Sequence, residues 1–301
     1  MTIDYSGRVA VVTGAGAGLG RAHALLLARR GAKVVVNDLG GSVDGNAASS
    51  AAADAVVCEI RDAGGEAVAS YDSVATQAGG QAIIATAIDA FGRIDMLVNN
   101  AGNLRDKSFI KMGMADFSAV IDTHLFGTAY CIAAAWPRMI EQQYGRIVVT
   151  TSASGLYGNF GQSNYAAAKA AVVGMMLSLK DEGAKYDVRV NAIAPVAATR
   201  MTADILPEGT PELFRPELVS PAVGWLCAEE CTESGAVIEA GGGYFARVQT
   251  FESEGVVLGR DCGVAPEDIR DNWAKISDMT QARPFANSMG VIAKVLQNIT
   301  A

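Results

Sequence analysis

The segment Val9-Ala-Val-Val-Thr-Gly-Ala-Gly-Ala-Gly-Leu-Gly20 decides the fold of this 301-residue chain. Its first four residues form a continuous apolar run, which is typical of a strand buried on both faces. Glycines in a strand-to-helix turn let the backbone and the helix N-terminus approach a pyrophosphate closely. The segment therefore predicts a strand, a turn and a helix that bind a dinucleotide. The glycines of the turn are Gly14, Gly16, Gly18 and Gly20.

The rest of the chain repeats this alternation of apolar strand and longer Ala-rich helix. Because the Val/Ile runs do not alternate with polar residues, they predict a parallel sheet covered by helices on both faces. With right-handed crossovers this is an α/β fold, a doubly wound parallel sheet (Rossmann fold) in three α/β/α layers. Strands are predicted at residues 9–12, 33–37, 67–71, 96–99, 145–152, 188–194 and 236–240. Helices are predicted at residues 21–30, 47–62, 77–91, 115–138, 164–186 and 221–231.

Bulk composition limits the partners that this chain can have. Half of the residues are hydrophobic, which is enough for one large domain with a substantial core. The net charge is −8 and no basic block occurs, so neither nucleic acid nor an anionic membrane is an expected partner. No apolar run reaches the length of a membrane span, and the N-terminus lacks the pattern of a signal peptide. The C-terminus is not a peroxisomal tripeptide.

The five cysteines are scattered and odd in number, which fits reduced thiols better than a disulfide framework. Cys227 and Cys231 share a helical spacing, but no second pair or nearby histidine completes a zinc site. We interpret them as packing residues and expect no bound metal. Together with the absence of a targeting signal, these features lead us to expect a cytoplasmic protein.

Two acidic residues follow the second and third predicted strands, where a doubly wound sheet binds its ligands. Asp38 can accept hydrogen bonds from both ribose hydroxyls of NAD and repels the additional phosphate of NADP, so we expect NAD as the cofactor. Alternatively, Asp38 caps the loop at 39–47. Asp72, which precedes Ser73 and Val74, is expected near the adenine amino group. It can equally cap the helix that follows.

The segment Asn99-Asn-Ala-Gly102 ends the fourth predicted strand. Its small residues, Ala101 and Gly102, leave room for the adenosine ribose. The asparagine amides can also tie strand ends together, and we expect that structural role to be the larger one.

Tyr165-Ala-Ala-Ala-Lys169, with Ser152 thirteen positions upstream of the tyrosine, predicts the chemistry. Residues i and i+4 of a helix share a face, so both side chains can reach one small space. A nearby cation favours the phenolate of a tyrosine, and a serine hydroxyl can hold a substrate oxygen beside it. This set can therefore move a proton on and off a substrate oxygen. By itself, however, the Y-x-x-x-K spacing also occurs by chance on solvated helix faces.

Together these residues resemble the short-chain dehydrogenase/reductase family over residues 7–245. The glycine turn, the 99–102 segment and the serine, tyrosine and lysine stand in that family's order and spacing. So do Asn191, Pro195 and Thr199. The resemblance implies hydride transfer between a nicotinamide and a secondary alcohol or ketone.

The resemblance also implies a role for each site residue. Tyr165 is expected to be the general acid/base and Ser152 to orient the substrate oxygen. Lys169 is expected to hold the nicotinamide ribose and to lower the tyrosine pKa, while Thr199 contacts the carboxamide. The expected catalytic residues are Ser152, Tyr165, Lys169 and His124. The expected cofactor-binding residues are Gly14, Gly16, Gly18, Leu19, Gly20, Asp38, Asp72, Ser73, Val74, Asn99, Ala101, Gly102, Tyr165, Lys169, Pro195 and Thr199.

Two positions depart from the family pattern. His124 stands where the family usually has an asparagine that supports a water relay behind the lysine. A histidine can pass protons, or it can merely fill a semi-polar pocket, and both alternatives stay open. Val196 replaces the usual glycine after Pro195, with no consequence that the sequence defines.

A narrower resemblance is to the (3R)-hydroxyacyl-CoA dehydrogenase units of the peroxisomal multifunctional enzymes type 2. His124, the segment from Ser152 to Tyr165 and Trp225-Leu-Cys carry it, together with the tail after Gly243. It implies a stand-alone unit with a catalytic domain at 1–245 and an extension at 246–301 that is not an independent domain. In that group the extension wraps toward the substrate cleft and a dimer partner. A homodimer or homotetramer is therefore expected.

An acyl-CoA thioester is the substrate that this resemblance favours, and its phosphates need cations. Candidates are a cluster formed by Arg105, Lys107 and Lys111, and two residues flanking a predicted lid at 199–217, Arg200 and Arg215. Each is more often a solvated charge. The leading hypothesis is NAD-dependent interconversion of 3-hydroxyacyl-CoA and 3-oxoacyl-CoA. Alternatives are a steroid or other secondary-alcohol dehydrogenase, an acyl-carrier-protein reductase, and a non-catalytic dinucleotide sensor.

Overall fold

A central sheet of eight strands organises the molecule. The computed structural model describes residues 2–41, 49–199, 209, 212–259 and 263–300. The strands run in the order β3-β2-β1-β4-β5-β6-β7-β8, and the seven strands from β3 to β7 in this order pair in parallel. They are β1 (Val9–Thr13), β2 (Lys33–Asn37), β3 (Ala67–Ser70), β4 (Met96–Asn99), β5 (Gly145–Thr150), β6 (Val188–Pro195), β7 (Val237–Gly241) and β8 (Tyr244–Val248).

Eleven α-helices are found in the described part of the chain. Those of the first 247 residues connect the strands, and three follow the last strand. They are α1 (Gly18–Arg29), α2 (Ala51–Asp62), α3 (Gln77–Phe91), α4 (Met114–Ile121), α5 (Gly127–Gln142), α6 (Ala153–Tyr157), α7 (Ser163–Gly183), α8 (Ser220–Cys227), α9 (Pro266–Asp271), α10 (Trp273–Ile276) and α11 (Ser288–Thr300).

The apolar strands are buried because helices cover both faces of the sheet. Every residue of β1, β4 and β5 is buried. Parallel neighbours require a helical crossover, and a continuous Val/Ile strand is stable only between two helical layers. The order reverses between β1 and β4, which opens a crevice at the carboxyl ends of these strands. The prediction of a doubly wound α/β/α fold is confirmed.

The predicted helix at 115–138 is interrupted by a π-helical turn. Residues Asp122–Phe126 form this turn between α4 and α5. The whole stretch Met114–Gln142 is long and apolar enough to cross a membrane by length and composition alone, so the expectation that no apolar segment reaches this length is wrong. In the structure this helix packs against α3, α7 and β5 as part of the helical layers. About a third of this apolar stretch (33%) is buried within the described structure.

Other boundaries differ from the predictions by a few residues. The first helix begins at Gly18 rather than 21, since the last two glycines of the turn already lie in it. Among the described residues the second helix begins at Ala51, and its predicted start at residue 47 lies outside them. The helix predicted at 221–231 ends at Cys227. Short α6 and strand β8 were not predicted.

The chain divides into two compact units, Met1–Arg247 and Val248–Ala301. Strand β8 follows β7 after Gly242 and Gly243, which both have positive φ. A link of two residues joins neighbouring strands only in an antiparallel hairpin. In the second unit, Lys294 of α11 is buried and bonds to Glu252 and the Ser253 carbonyl. That the extension is not an independent domain stays a prediction.

A buried polar pair joins α1 to the start of α8. His23 Nδ1 lies 2.8 Å from Ser220 Oγ, and both residues are buried. Burial lowers the pKa of His23 to about 3, so the ring is neutral at physiological pH. The pair satisfies polar atoms between two helices that pack against each other. Cys227 and Cys231 lie in the same core, as packing residues do, while Cys262 lies outside the described residues.

Candidate active site

The glycine turn between β1 and α1 is built for close approach. A Cβ on Gly14 would lie 2.8 Å from Ala101 Cα, and one on Gly20 would overlap the Gly14 carbonyl. Gly14 and Gly18 also have positive φ, which disfavours other residues. The turn therefore brings the backbone and the N-terminus of α1 to the edge of the crevice, where a pyrophosphate binds in such folds.

A cavity of about 340 Å³ opens at this edge. It is lined by ten of the predicted cofactor-binding residues: Gly14, Gly18, Leu19, Asp38, Asp72, Ser73, Val74, Ala101, Gly102 and Thr199. Residues that were not predicted to bind the cofactor also line it, namely Ala17, Asn37, Leu39, Gly41, Ala75, Asn100, Asn103 and Thr123. The remaining predicted residues, Gly16, Gly20, Asn99, Tyr165, Lys169 and Pro195, lie outside this lining.

The Asp38 carboxylate accepts hydrogen bonds from backbone N–H groups and also lines the cavity. Its Oδ2 accepts a hydrogen bond from the Gly16 N–H at 2.7 Å, and its Oδ1 accepts from the Gly40 N–H at 2.6 Å. These bonds hold the carboxylate at the carboxyl end of β2, where it lines the cavity. Gly16 must be glycine, because a Cβ there would lie 2.8 Å from this carboxyl group. The two alternatives for Asp38 are therefore compatible.

Asp72 does not cap the following helix. The cap of α3 is Thr76, whose Oγ1 accepts from the Gly79 N–H at 3.1 Å. Asp72 lines the cavity, and its Oδ2 lies 3.3 Å from Ser70 Oγ. The capping alternative is wrong because the capping position, Thr76, lies four residues further along the chain.

The two asparagines of the Asn99–Gly102 segment have different hydrogen-bond contacts. Asn100 Nδ2 donates to the carbonyls of Thr13 (3.0 Å) and Gly14 (3.1 Å), which ties the end of β4 to the glycine turn. Asn99 is buried, and its Nδ2 has no partner within the described chain. The predicted structural tie is thus present at Asn100, while Asn99 faces the interior.

Ser152, Tyr165 and Lys169 come together beside the end of β5. Ser152 caps α6, where its Oγ accepts from the Ser154 N–H at 3.2 Å, and it hydrogen-bonds to the Tyr165 side chain. Lys169 lies one turn along α7 from Tyr165, with its Nζ 5.5 Å from the ring centroid. That Nζ donates to the Thr150 carbonyl at 2.6 Å. The spacing of the sequence therefore produces one site.

Burial sets the protonation of this pair. It raises the pKa of Tyr165 to about 12, although the Ser152 hydrogen bond acts in the opposite direction and the charge of Asp106 adds to the rise. Burial also lowers the pKa of Lys169 to about 7. The predicted lowering of the tyrosine pKa by the lysine is not among these effects and stays a prediction. The lysine ammonium is directed to a carbonyl, not to the phenol oxygen.

His124 lies in the π-helical turn and contacts the tyrosine. Its ring meets that of Tyr165 edge to face, with centroids 5.0 Å apart. Its Nε2 lies 3.1 Å from the backbone nitrogen and 2.8 Å from the carbonyl of Asn103. Nδ1 is buried without a partner. Burial, and next the charge of Lys169, lowers the pKa of His124 well below its ordinary value.

Four buried side-chain polar atoms in the described residues lack a hydrogen-bond partner. They are Asn99 Nδ2, Asn103 Oδ1, His124 Nδ1 and Thr150 Oγ1. All four lie at or after the carboxyl ends of β4 and β5 or in the π-helical turn that packs there. Native proteins rarely leave such atoms unpaired away from functional sites. The cluster therefore marks this end of the sheet as the functional one.

A series of hydrogen bonds that the sequence did not predict leads from Ser154, two residues after Ser152, to the surface. Ser154 Oγ donates to Gln162 Oε1 at 2.7 Å, and Gln162 Nε2 donates to Asp106 Oδ2 at 2.6 Å. Gln162 is buried, whereas Asp106 is exposed. These hydrogen bonds hold the turn that carries Ser152 in place. Neither residue has a sequence signal, because the pairing joins positions 56 residues apart.

Val196 occupies space that a glycine leaves free. A Cβ on Gly241 would lie 2.7 Å from the Val196 Cβ, so Gly241 is what admits the side chain. The Val196 N–H donates to the Ala240 carbonyl at 2.8 Å. Thr199 lines the cavity nearby. The valine at position 196 therefore packs against Gly241 of β7.

The predicted cations differ in their surroundings. Arg105 and Lys107 both bind Asp116, at 3.2 Å and 2.8 Å. Lys111 is exposed, as is Arg215, and Arg200 lies outside the described residues. Among the described residues no group of histidine, cysteine and acidic side chains could hold a metal ion.

These features coincide with one family model, that of the short chain dehydrogenases, which matches residues 8–208. The chain belongs to the short-chain dehydrogenase family. As a member, it is an oxidoreductase that acts on CH–OH groups. The predictions of family, fold and enzyme class are confirmed.

Several members of this family are similar over most of the chain. The short-chain type dehydrogenase/reductase Rv0148 of Mycobacterium tuberculosis is 53% identical over 276 residues, covering 92% of this chain and 96% of that protein. The peroxisomal multifunctional enzyme type 2 of Drosophila melanogaster is 49% identical over 302 residues, covering 99% of this chain. The chain spans about half the length of that relative (50%).

Two solved structures of family members are also similar. The full-length multifunctional enzyme type 2 of Drosophila melanogaster superposes with a TM-score of 0.83 at 42% identity, covering 98% of this chain and 50% of that one. A 7α-hydroxysteroid dehydrogenase, complexed with NADH and 7-oxo glycochenodeoxycholic acid, gives a TM-score of 0.71 at 30% identity, covering 80% and 95%. The first of these similarities includes the extension after Gly243.

Proposed function

We propose that this short-chain dehydrogenase uses NAD to interconvert a 3-hydroxyacyl-CoA and a 3-oxoacyl-CoA. One observation carries the proposal. The similarity to the multifunctional enzyme type 2 extends over 99% of the chain, and the serine, tyrosine and lysine of the site stand together within it. The peroxisomal multifunctional enzyme type 2 of Mus musculus is about as similar to this chain, at 48% identity.

The cavity fits a dinucleotide and favours NAD. The Asp38 carboxylate, held by two backbone N–H groups, lines the cavity at the end of β2. A carboxylate at this place accepts hydrogen bonds from ribose hydroxyls and repels a 2′-phosphate. The described lining contains no lysine or arginine that could receive such a phosphate. NAD supplies the hydride acceptor when it is bound, and cellular NAD pools favour the oxidative direction.

The proton transfer follows from the side chains of the chain itself. In oxidation, Ser152 holds the substrate hydroxyl beside the Tyr165 phenol oxygen. Tyr165, as phenolate, takes the hydroxyl proton while the carbon gives up its hydride. In reduction the same phenol returns the proton to the carbonyl oxygen. Lys169, buried and bonded to Thr150, supplies a positive charge when protonated that favours the phenolate.

The assay that tests this proposal measures dinucleotide reduction against three substrate classes. These are 3-hydroxyacyl-CoA thioesters, hydroxysteroids and simple secondary alcohols, each with NAD and with NADP. The proposal expects the highest kcat/KM for a thioester with NAD. Absence of turnover with every thioester would overturn the substrate, and equal use of NADP would overturn the cofactor.

A steroid dehydrogenase is the second candidate. It is favoured by the structural similarity to the 7α-hydroxysteroid dehydrogenase, at 30% identity over 80% of the chain. The same serine, tyrosine and lysine would act on a ring hydroxyl in an apolar cleft. The assay above distinguishes the two, since a hydroxysteroid would then be oxidised in preference to every thioester.

We also propose a cytoplasmic homodimer or homotetramer. The four cysteines described by the structure are unpaired, as expected of a reducing compartment. Light scattering coupled to gel filtration tests the oligomer, and a monomer at micromolar concentration would contradict it.

A further inference from the structure

The β4–α4 loop lies beside residues 160–164, which precede Tyr165, and we call these two segments the rim of the site. The rim carries two cations that share one carboxylate. Arg105 Nη1 lies 3.2 Å from Asp116 Oδ1, and Lys107 Nζ lies 2.8 Å from Asp116 Oδ2. Asp116 lies in the first turn of α4, where the helix N-terminus also stabilises a negative charge. The hydrogen bond from Lys107, and next that from Arg105, holds the pKa of this carboxyl below its ordinary value.

The backbone that bears these cations is fixed relative to the catalytic tyrosine. The Lys107 N–H donates to the Gly161 carbonyl at 2.9 Å. The Arg105 carbonyl accepts from Asn164 Nδ2 at 3.2 Å, and Asn164 is fully buried immediately before Tyr165. These bonds tie the β4–α4 loop to Gly161, just before α7, and to Asn164 in the first turn of α7. The cations therefore stand at a set place on the rim.

The same rim exposes large apolar side chains. Phe109 is 69% exposed, Ile110 93% and Phe160 90%. Phe109 and Ile110 follow the cations in the same loop, and Phe160 precedes Gly161. Cations beside exposed apolar groups suit a ligand that is anionic at one end and apolar along its length. An acyl-CoA, with its phosphates and its pantetheine arm, has this chemistry.

We propose that Arg105 and Lys107 form the subsite for the phosphates of the CoA moiety, and that Asp116 is the internal anion which these phosphates displace. The proposal rests on the proposed function. A chain with a net charge of −8 repels an anionic substrate unless local cations receive it. The Lys107–Asp116 pair is exposed and the Arg105–Asp116 pair is partly buried. Ion pairs at the surface contribute little to stability, so they exchange readily. A phosphate binds the planar fork of arginine in a bidentate way and replaces the carboxylate.

Asp116 then sets selectivity as well as affinity. With the carboxylate in place, the two cations carry one net positive charge, so a weakly charged anion gains little by displacing it. A diphosphate gains two partners together. Asp116 is therefore expected to weaken the binding of singly charged competitors more than that of CoA.

The experiment compares two substrates with the same reacting atoms, 3-hydroxybutyryl-CoA and 3-hydroxybutyryl-N-acetylcysteamine, which has no phosphate. In the double variant Arg105→Ala/Lys107→Ala, kcat/KM for the CoA thioester should fall about tenfold or more, and that for the phosphate-free thioester should stay within about twofold. In Asp116→Asn, kcat/KM for the CoA thioester should rise about two- to fivefold. Added NaCl should suppress both differences.

Glu66→Gln is the matched control. Glu66 Oε2 binds Lys33 Nζ at 2.9 Å in an exposed ion pair at the amino-terminal end of β2, away from the site. This variant should leave both thioesters unchanged. A general effect of charge on the chain would appear in it as well.

The outcomes separate this proposal from the proposed function. Equal losses for both thioesters in the double variant, or no loss for either, would overturn the subsite while the wild-type enzyme still oxidises thioesters. An unchanged Asp116→Asn variant would overturn the role of the internal anion. If the wild-type enzyme oxidises neither thioester but does oxidise another secondary alcohol, the proposed function and the subsite fail together.

Discussion

The two histidines of this chain, His23 and His124, are similar in burial and in the direction of their pKa shift but differ in their contacts. Each is 2% exposed, and burial lowers the pKa of both, so each ring is neutral near pH 7. His23 bonds to Ser220 between two helices. His124 keeps Nδ1 unpaired beside Tyr165. Burial and the direction of the pKa shift are therefore the same for both rings, whereas the unpaired nitrogen and the neighbouring Tyr165 ring distinguish His124.

The largest expected effect lies beside His124, at the tyrosine. Tyr165→Phe removes the hydroxyl that exchanges the proton, and kcat should fall by roughly 10²- to 10⁴-fold. Binding of NAD, measured by titration of the protein fluorescence, should stay nearly unchanged, because the cavity lining does not include this residue. Persistent turnover would show that another group transfers the proton.

His124 itself is tested by a pair of variants. His124→Asn introduces the residue that the family usually has here, and kcat should stay within about tenfold. His124→Leu fills similar space without a polar atom, and kcat should fall by about 10²-fold if the ring acts in the proton relay. Retained activity in His124→Leu, with an unchanged pH profile, would instead make His124 a filler like any core residue.

Ser220→Ala tests the structural member of the pair. It leaves His23 Nδ1 buried without a partner, which should lower the free energy of unfolding by about 1–3 kcal/mol. The kcat should not change. Ser6→Ala is the control, because Ser6 is an exposed serine whose hydroxyl bonds to Asp4 at 2.8 Å. Loss of activity at unchanged stability in Ser220→Ala would erase the contrast between the two histidines.

The smallest expected effect is a shift of the pH profile in Asp106→Asn. An asparagine oxygen still accepts from Gln162, but the negative charge that raises the Tyr165 pKa is lost. Oxidation needs the phenolate, so activity rises with pH through the tyrosine pKa. A lower pKa therefore moves the rising limb of kcat to lower pH, by less than about one unit. Asp116→Asn, whose carboxylate does not act on Tyr165, should leave this limb in place.

The contrast also explains what the sequence could and could not predict. The sheet, its order of helices and the meeting of Ser152, Tyr165 and Lys169 followed from local patterns, since apolar runs and helical spacing act over short distances. The π-helical turn at Asp122–Phe126 did not, because its extra residue per turn is set by tertiary packing and not by composition. The Asp106–Gln162 bond and the Asp116 ion pairs join loops that only the fold brings together.

The same limit applies to the two histidines. In the sequence, His124 stood out because of its place in a family pattern, and His23 gave no signal. Both rings depend on distant partners, since Ser220 lies 197 positions from His23 and Asn103 lies 21 positions from His124. A residue's chemistry is local, but the partners that decide its function are not.

The contact of Gly102 with His124 has a consequence for protein engineering. A Cβ on Gly102 would overlap the carbon between the two ring nitrogens of His124. The backbone itself does not require glycine here, since Gly102 does not have positive φ. Positions 102 and 124 therefore form one unit of variation. A mutant library that changes position 102 alone will return mostly glycine. One that pairs Gly102→Ala with His124→Asn opens sequences that no single substitution can reach.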